Sequence, residues 1–472
     1  MGIPHRSFRG LVALALTAAT AAAGVVCVAT SSAANAADTV WAAPTGDQLV
    51  DSIGVGTHWD YLDTPYGAAY PSIRRLLVAS GVRHVRGDAS RAPDLFSSGI
   101  KTTVGVDSAM DGSGDPALQI AQLAPLAASG AIAGFEGPNE PDLYWTQGHR
   151  VYKGRTFPDA AMEWQKDLYR AAKADSRTAG IPVIGPSLGG TYWGGGNPFP
   201  ANSLAPYVDW GNFHPYPGGN SFSYPSDYAG ISRYYWNADF PSVALDRYPT
   251  NFDTYRPPFG LRPMAATETG YSTFRFGQSE KMQGRYVPRI FLENFRLGIR
   301  RTFLYELVDS FDDPTGYNRE AHFGLLRHDL TPKPAFYALQ SLISAVSAPK
   351  PSALTKPNPP SPQLTLQVNA PAGYDASGLH HLQFARADGS TVLALWHEIS
   401  GDDLSPLQST PQQPIREVYH PCLAVTVSGV DLSAARTTAI GDDGRLVPIP
   451  SRAATTGLKV QVGEQVTFVT VP

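Results

Sequence analysis

The sequence predicts a (β/α)8 barrel followed by a small antiparallel β-sandwich. Three observations carry that prediction. Between residues 52 and 307, eight short β-rich runs end in polar residues, and helix-like stretches usually follow. This is the alternation of parallel strands with crossover helices, repeated the number of times a closed barrel requires. A proline-rich tract at 349–362 then interrupts the chain. Beyond it the pattern alternates apolar and polar residues with Gly and Asp breaks, as antiparallel strands do. The length of 472 residues suits one barrel and one smaller module.

The first 36 residues are expected to be a signal peptide. His5, Arg6 and Arg9 give a positive start, Leu11 to Thr30 is an Ala/Leu/Val-rich run, and Ala34-Asn35-Ala36 is a small-x-small cleavage signal. The run is short and broken by Thr and Gly, which argues against a retained anchor. Secretion is therefore expected, with no membrane association once the signal is removed. Only Cys422 then remains, so intramolecular disulfides are impossible and the thiol is expected to be buried and inert.

The barrel is assigned to residues 37–348. Its strands are expected at Ser52–Gly56, Arg83–Arg86, Thr102–Asp107, Ile132–Glu136, Pro182–Gly185, Val208–His214, Pro263–Glu268 and Thr302–Leu307. An open doubly wound sheet would also alternate. Gly54-Val55-Gly56-Thr57-His58, however, lacks the third glycine and the helix of a dinucleotide turn. Helical spacing appears at Pro71–Ser80, closed by Gly81, at Ala160–Ser176, and at Gln283–Leu297. Gly194–Tyr207 and Gly218–Pro258 read as long loops over one barrel end. Residues 363–472 form the expected sandwich, with strands at Thr391–Trp396, Cys422–Val427 and within Leu458–Val471. Residues just upstream of the barrel, such as Asp38–Trp41, are candidates to complete it.

Composition narrows the function. Charged residues make up 17% and the net charge is −4, without the Lys/Arg clustering that nucleic-acid binding needs. An aromatic content of 11% suits both sugar stacking and the filling of a large barrel. Catalytic residues of a barrel sit at the C-terminal strand ends. The fourth run ends in Glu136-Gly137-Pro138-Asn139-Glu140-Pro141 and the seventh in Thr267-Glu268-Thr269-Gly270. Strands four and seven face each other across a barrel mouth. Two opposed carboxyl groups are what glycosidic cleavage uses, one protonated to assist the leaving oxygen and one ionised to attack the anomeric carbon.

Asn139-Glu140-Pro141 and Thr267-Glu268-Thr269-Gly270, 128 residues apart, resemble the acid/base and nucleophile motifs of clan A glycoside hydrolases. The resemblance covers roughly residues 50–345 and leans towards families 39 and 5, with a C-terminal sandwich similar to those of families 30, 39 and 79. It implies Glu140 as acid/base and Glu268 as nucleophile. It further implies Asn139 bonding a sugar 2-hydroxyl and Arg86 pairing with the nucleophile, the alternative for Arg86 being a structural ion pair. His214-Pro215-Tyr216 resembles a pattern in which a His or Tyr orients the nucleophile; packing is the alternative for each. His58, Trp59 and Asp60 are candidates for the first sugar subsite, and Trp145 for stacking on the leaving-group side. Glu306 stands where many clan members carry a Trp platform; it either binds sugar hydroxyls or pairs with an Arg such as Arg301. Glu136 reads as structural. Thr331-Pro332-Lys333-Pro334 resembles the start of the clan's final helix.

No cofactor is implied, and the expected partner is carbohydrate. Metal-dependent hydrolysis would need His clusters at strand ends, and Thr57-His58-Trp59 has no paired His while His380-His381 lies outside the barrel. A catalytically silent sugar-binding protein and a transglycosylase are the remaining alternatives on this fold.

Overall fold

The computed structural model describes residues 43–106, 114–145, 150–189, 197–216, 255–347, 364–371, 374, 376, 378–399, 401–403, 416–418, 420–454 and 457–472. The signal-peptide, linker and Asp38–Trp41 expectations fall outside these residues, as does most of the expected loop Gly218–Pro258. No described helix is long and apolar enough to cross a membrane.

Eight parallel strands form the barrel: β1 (Ile53–Gly56), β2 (His84–Gly87), β3 (Lys101–Gly105), β4 (Ile132–Glu136), β5 (Val183–Ile184), β6 (Gly211–Phe213), β7 (Met264–Thr269) and β8 (Thr302–Leu304). They pair in the order β5-β4-β3-β2-β1-β8-β7-β6. A parallel bridge between Ile184 and Trp210 joins the two ends and closes the cylinder. Closure matters for the site, because it turns strand ends distant in sequence into neighbours around one mouth. All eight expected strands are found.

The helices begin and end where local chemistry dictates. Tyr70–Ser80 stops at Gly81, whose φ of +81° is the left-handed closure a glycine adopts without penalty. Asp159–Ala174 ends earlier than the periodicity predicts, because Asp175 is extended and its carboxylate bonds the Arg177 side chain and backbone N–H instead. Glu280–Arg296 starts three residues earlier than expected, where the Ser279 hydroxyl accepts from the Met282 N–H.

The C-terminal module is a sandwich. One sheet has the order Leu379–Ala385, Thr391–His397, Thr467–Val471, Arg436–Ile440, Leu446–Pro448. The other runs Ser451–Ala454, Gly457–Val462, Leu423–Ser428, Thr365–Asn369. The predicted run Leu458–Val471 is thus two strands, broken at Gly463 and assigned to different sheets. Leu393, Leu395, Val469 and Val471 meet Val425, Val427, Val460 and Val462 between the layers. The opposite face of Thr391–His397 is also covered: Val392, Ala394 and Trp396 join the barrel's core cluster with Leu339, Leu342 and Phe336. That strand is buried along its whole length for this reason. An isolated parallel bridge joins Thr45 to Ala385 at the edge of this sheet.

Polar contacts lock the two modules together through Glu280–Arg296. The Arg289 guanidinium donates to the His397 and Ile399 carbonyls at 2.9 and 3.1 Å. Arg285 pairs with Asp442 and Glu464 at 2.7 and 2.6 Å. Cys422 corrects one expectation: it is exposed, lying one residue before the strand whose apolar positions turn inward.

Candidate active site

β4 delivers Glu140 and β7 delivers Glu268 to the same end of the barrel. Four residues after β4, Glu140 takes a left-handed conformation (φ 45°, ψ 51°) and opens the short helix Pro141–Tyr144. A non-glycine residue there costs on the order of 1–3 kcal/mol, so the surroundings must hold it. They do: its N–H donates to the Ser187 hydroxyl at 3.3 Å. Gly189 leaves it space, since a Cβ at that position would lie 2.9 Å from the Glu140 carboxyl carbon.

The Arg86 side chain, rising from β2, ties the floor together. Its Nη1 donates to Glu268 Oε1 at 2.7 Å, and its Nη2 to Asn139 Oδ1 at 2.7 Å. Nε and Nη2 also grip Glu136 Oε2 and Oε1 at 2.5 and 3.0 Å. The Tyr216 hydroxyl donates to Glu268 Oε2 at 2.8 Å. His214 lies deeper, with Nδ1 2.7 Å from Glu140 Oε1 and 3.6 Å from Glu268 Oε2. Its Nε2 meets Thr267 Oγ1 at 3.0 Å. One carboxylate oxygen from each glutamate and a His214 nitrogen lie within 4.8 Å of one another.

This environment treats the two carboxyl groups differently. Burial raises the Glu140 carboxyl above its usual range, the neighbouring Glu268 charge adds to this, and His214 opposes it. Burial also pushes Glu268 upward, but the neighbouring His214 imidazole, the Arg86 guanidinium and the hydrogen bonds from Tyr216 and Arg86 overcome it and hold Glu268 at about 2. The two carboxyl groups are thus driven apart in proton affinity, Glu140 upward and Glu268 downward.

The fold is shared with family 39 glycoside hydrolases. A family 39 glycoside hydrolase from the gut symbiont Bacteroides cellulosilyticus WH2 superimposes with a TM-score of 0.55 at 16% identity, over 91% of this chain and 82% of that one. The family 39 enzyme of Xanthomonas axonopodis pv. citri gives 0.53 at 15% identity, over 91% and 95%. No protein-family model and no curated protein matches the sequence.

On this family 39-like barrel, the predicted residues Arg86, Asn139, Glu140, His214, Tyr216 and Glu268 converge on one mouth. The division of contacts between His214 and Tyr216 is specific: Tyr216 touches Glu268, whereas His214 is closest to Glu140. His58 sits at the edge, 3.3 Å from Glu306 Oε2 and stacked on Tyr61 at 4.4 Å. Burial drops the His58 imidazole to about 4, so it is neutral at pH 7. Glu306 is buried and accepts from the Ser310 hydroxyl at 2.9 Å. Burial lifts its carboxyl well above the carboxylate range. It does not pair with Arg301, which turns towards Asp51.

Two predicted sugar contacts are corrected. Trp59 is 2% exposed and packs edge-on against Tyr66 and Tyr70 inside the core, so no sugar reaches it. Trp145 is 3% exposed, covered by the Arg150 guanidinium at 3.9 Å and wedged against Trp164. In both cases the indole is worth more as apolar filling than as a platform.

Sequence reasoning missed several residues. Tyr305, directly after β8, is half-buried beside Tyr216, His58 and Phe323, at centroid distances of 6.4, 5.6 and 5.4 Å. Thr267 and Asn212 were also passed over. Thr267 Oγ1 lies 2.7 Å from Glu136 Oε1 and 2.8 Å from Asn212 Oδ1. Strand alternation points adjacent residues to opposite faces and so gave no such signal; the irregular register against β8 between Ala266 and Thr269 appears only in the structure.

The Glu140–His214–Glu268 group has the proximity of a metal site, but its donors are already engaged with one another and with Thr267, Tyr216 and Arg86. The Arg86 charge further disfavours a cation. Among the described residues a second such group, Glu293, His380 and Glu398, lies away from the mouth, with Glu293 paired to Arg296.

Proposed function

We propose that the protein is a secreted retaining glycoside hydrolase, cleaving β-linked oligo- or polysaccharides by double displacement. The observation that carries this reading is the pair of opposed carboxyl groups, with oxygens within 4.8 Å and opposite protonation tendencies. A retaining mechanism needs carboxyl groups about 5–5.5 Å apart, too close to admit a water between nucleophile and sugar. In this reading Glu268 attacks the anomeric carbon while Glu140 protonates the departing oxygen. Water then enters, gives its proton to Glu140, and releases the sugar with its configuration retained. Arg86 and Tyr216 keep the nucleophile ionised and aimed. Asn139, its carbonyl committed to Arg86, is left with its amide N–H groups for the sugar 2-hydroxyl. His58 and Tyr305 form the floor on which the sugar rests, with Glu306 buried beneath His58. Secretion rests on the signal-like N-terminus.

The test is Glu268→Ala assayed on a panel of aryl glycosides. Turnover is expected to vanish, and azide to restore it by giving the glycosyl azide of inverted configuration. Near-normal hydrolysis by the variant would overturn the assignment.

A further inference from the structure

The Thr267 hydroxyl has one hydrogen and three close partners. Two of them, Glu136 Oε1 and Asn212 Oδ1, are acceptors at 2.7 and 2.8 Å. The Asn212 amide orientation is fixed independently, because its Nδ2 donates to Glu136 Oε1 at 3.0 Å and to the Gly185 carbonyl at 3.1 Å. The Thr267 hydrogen is therefore spent on that acceptor pair. The third partner, His214 Nε2 at 3.0 Å, must then be the donor. With Nε2 protonated, a neutral His214 presents a bare lone pair at Nδ1. That lone pair faces Glu140 Oε1 at 2.7 Å, a distance that requires a hydrogen between them.

From this proton count we propose that Glu140 and His214 share one proton, and that Thr267 is the positioning residue that decides which imidazole nitrogen takes part. The inference deepens the glycosidase reading and rests on it for its catalytic consequence. The charged groups facing His214 are Glu140 beyond β4, Glu268 on β7 and Arg86 on β2, with Glu136 of β4 reached through Thr267. Burial disfavours charge on the imidazole, but the two glutamates outweigh it and raise its proton affinity.

The chemistry balances over the cycle. In the first half, the leaving oxygen takes the shared proton as its bond to the anomeric carbon breaks and the Glu268 oxygen bonds that carbon. Glu140 then faces the bare Nδ1, a contact between two acceptors that makes the pair a stronger base. In the second half, water supplies its hydroxyl to the anomeric carbon, the bond to Glu268 breaks, and the water's other proton refills the pair.

The experiment combines 15N NMR of the imidazoles with pH profiles of kcat/KM for Thr267→Val and Thr267→Ser. His214 signals are assigned by their loss in His214→Gln. At high pH, once the shared proton is lost, the unsubstituted protein is expected to carry hydrogen on Nε2 and none on Nδ1. Valine removes the acceptor at Nε2, so the hydrogen moves to Nδ1 and stabilises an ionised Glu140. The alkaline limb then falls by about one pH unit, a roughly tenfold loss of kcat/KM above it. Serine restores the hydroxyl and returns the limb to its place, which a purely structural role of the hydroxyl would not require. Hydrogen on Nδ1 of the unsubstituted protein at that high pH, or an unmoved limb in Thr267→Val, would overturn the proposal. The NMR measurement, followed as a pH series on the unsubstituted protein and assigned with folded His214→Gln, needs no turnover. It therefore decides the proton arrangement even if no glycoside is cleaved, a failure that would fall on the functional reading alone.

Discussion

Replacing Arg86 by Met tests the electrostatic core of the site. Glu268 is held at about 2 against an ordinary value of 4.5. That gap of roughly 2.5 pH units corresponds to about 3.4 kcal/mol favouring the carboxylate. Burial acts in the opposite direction, so the favourable contributions exceed the net figure. Arg86 supplies two of them, a charge and a hydrogen bond at 2.7 Å. Removing an opposite charge at such range raises a carboxyl by about 1–3 units. A group with a higher pKa loses its negative charge at higher pH, so the acid limb of kcat/KM should climb from about pH 2 to roughly pH 3–5. The assay is a pH series from about 3 to 9 with an aryl glycoside of good leaving group. The substitution also strands Glu136, which is fully buried. Breaking such a pair costs about 3–5 kcal/mol, so rates are compared well below the unfolding midpoint of the variant, followed by circular dichroism. Superimposable acid limbs in the two proteins would refute the claim that Arg86 keeps Glu268 ionised.

Two further outcomes are expected. Glu140→Ala should cost about 10²–10⁴-fold in kcat/KM on glycosides with poor leaving groups and far less on activated aryl glycosides, measured as a leaving-group series; equal losses would count against an acid role. Trp59→Ala should lower stability by about 3–5 kcal/mol in denaturant titration while changing KM little, because the indole is core filling.

Periodicity was sufficient to place all eight barrel strands, since strands buried on both faces must be short, apolar and separated by crossover helices. The ends of strands four and seven also singled out Glu140 and Glu268, and the resemblance of their flanking motifs to clan A, not the periodicity, chose them over Glu136, which closes β4. The two tryptophans show where such reading stops. Trp59 and Trp145 occupy the right positions along the chain, yet each indole turns into the core, which depends on rotamers and neighbours distant in sequence. Helix ends behaved similarly: the Asp175 interruption is a local hydrogen-bond choice that apolar spacing does not register.

What the amino-acid sequence determined by itself was the alternation of elements, the two opposed glutamates and the change to antiparallel strands beyond residue 364. Each is encoded by residues adjacent or regularly spaced along the chain. Only the tertiary structure decided which group touches which: that His214 meets Glu140 while Tyr216 meets Glu268, that Arg86 binds three partners at once, and that Thr267 meets His214 Nε2. These pairings join strands up to 182 residues apart in sequence. Closing the barrel brings their ends within hydrogen-bonding distance, and at that range differences of under an ångström select the partner of each proton.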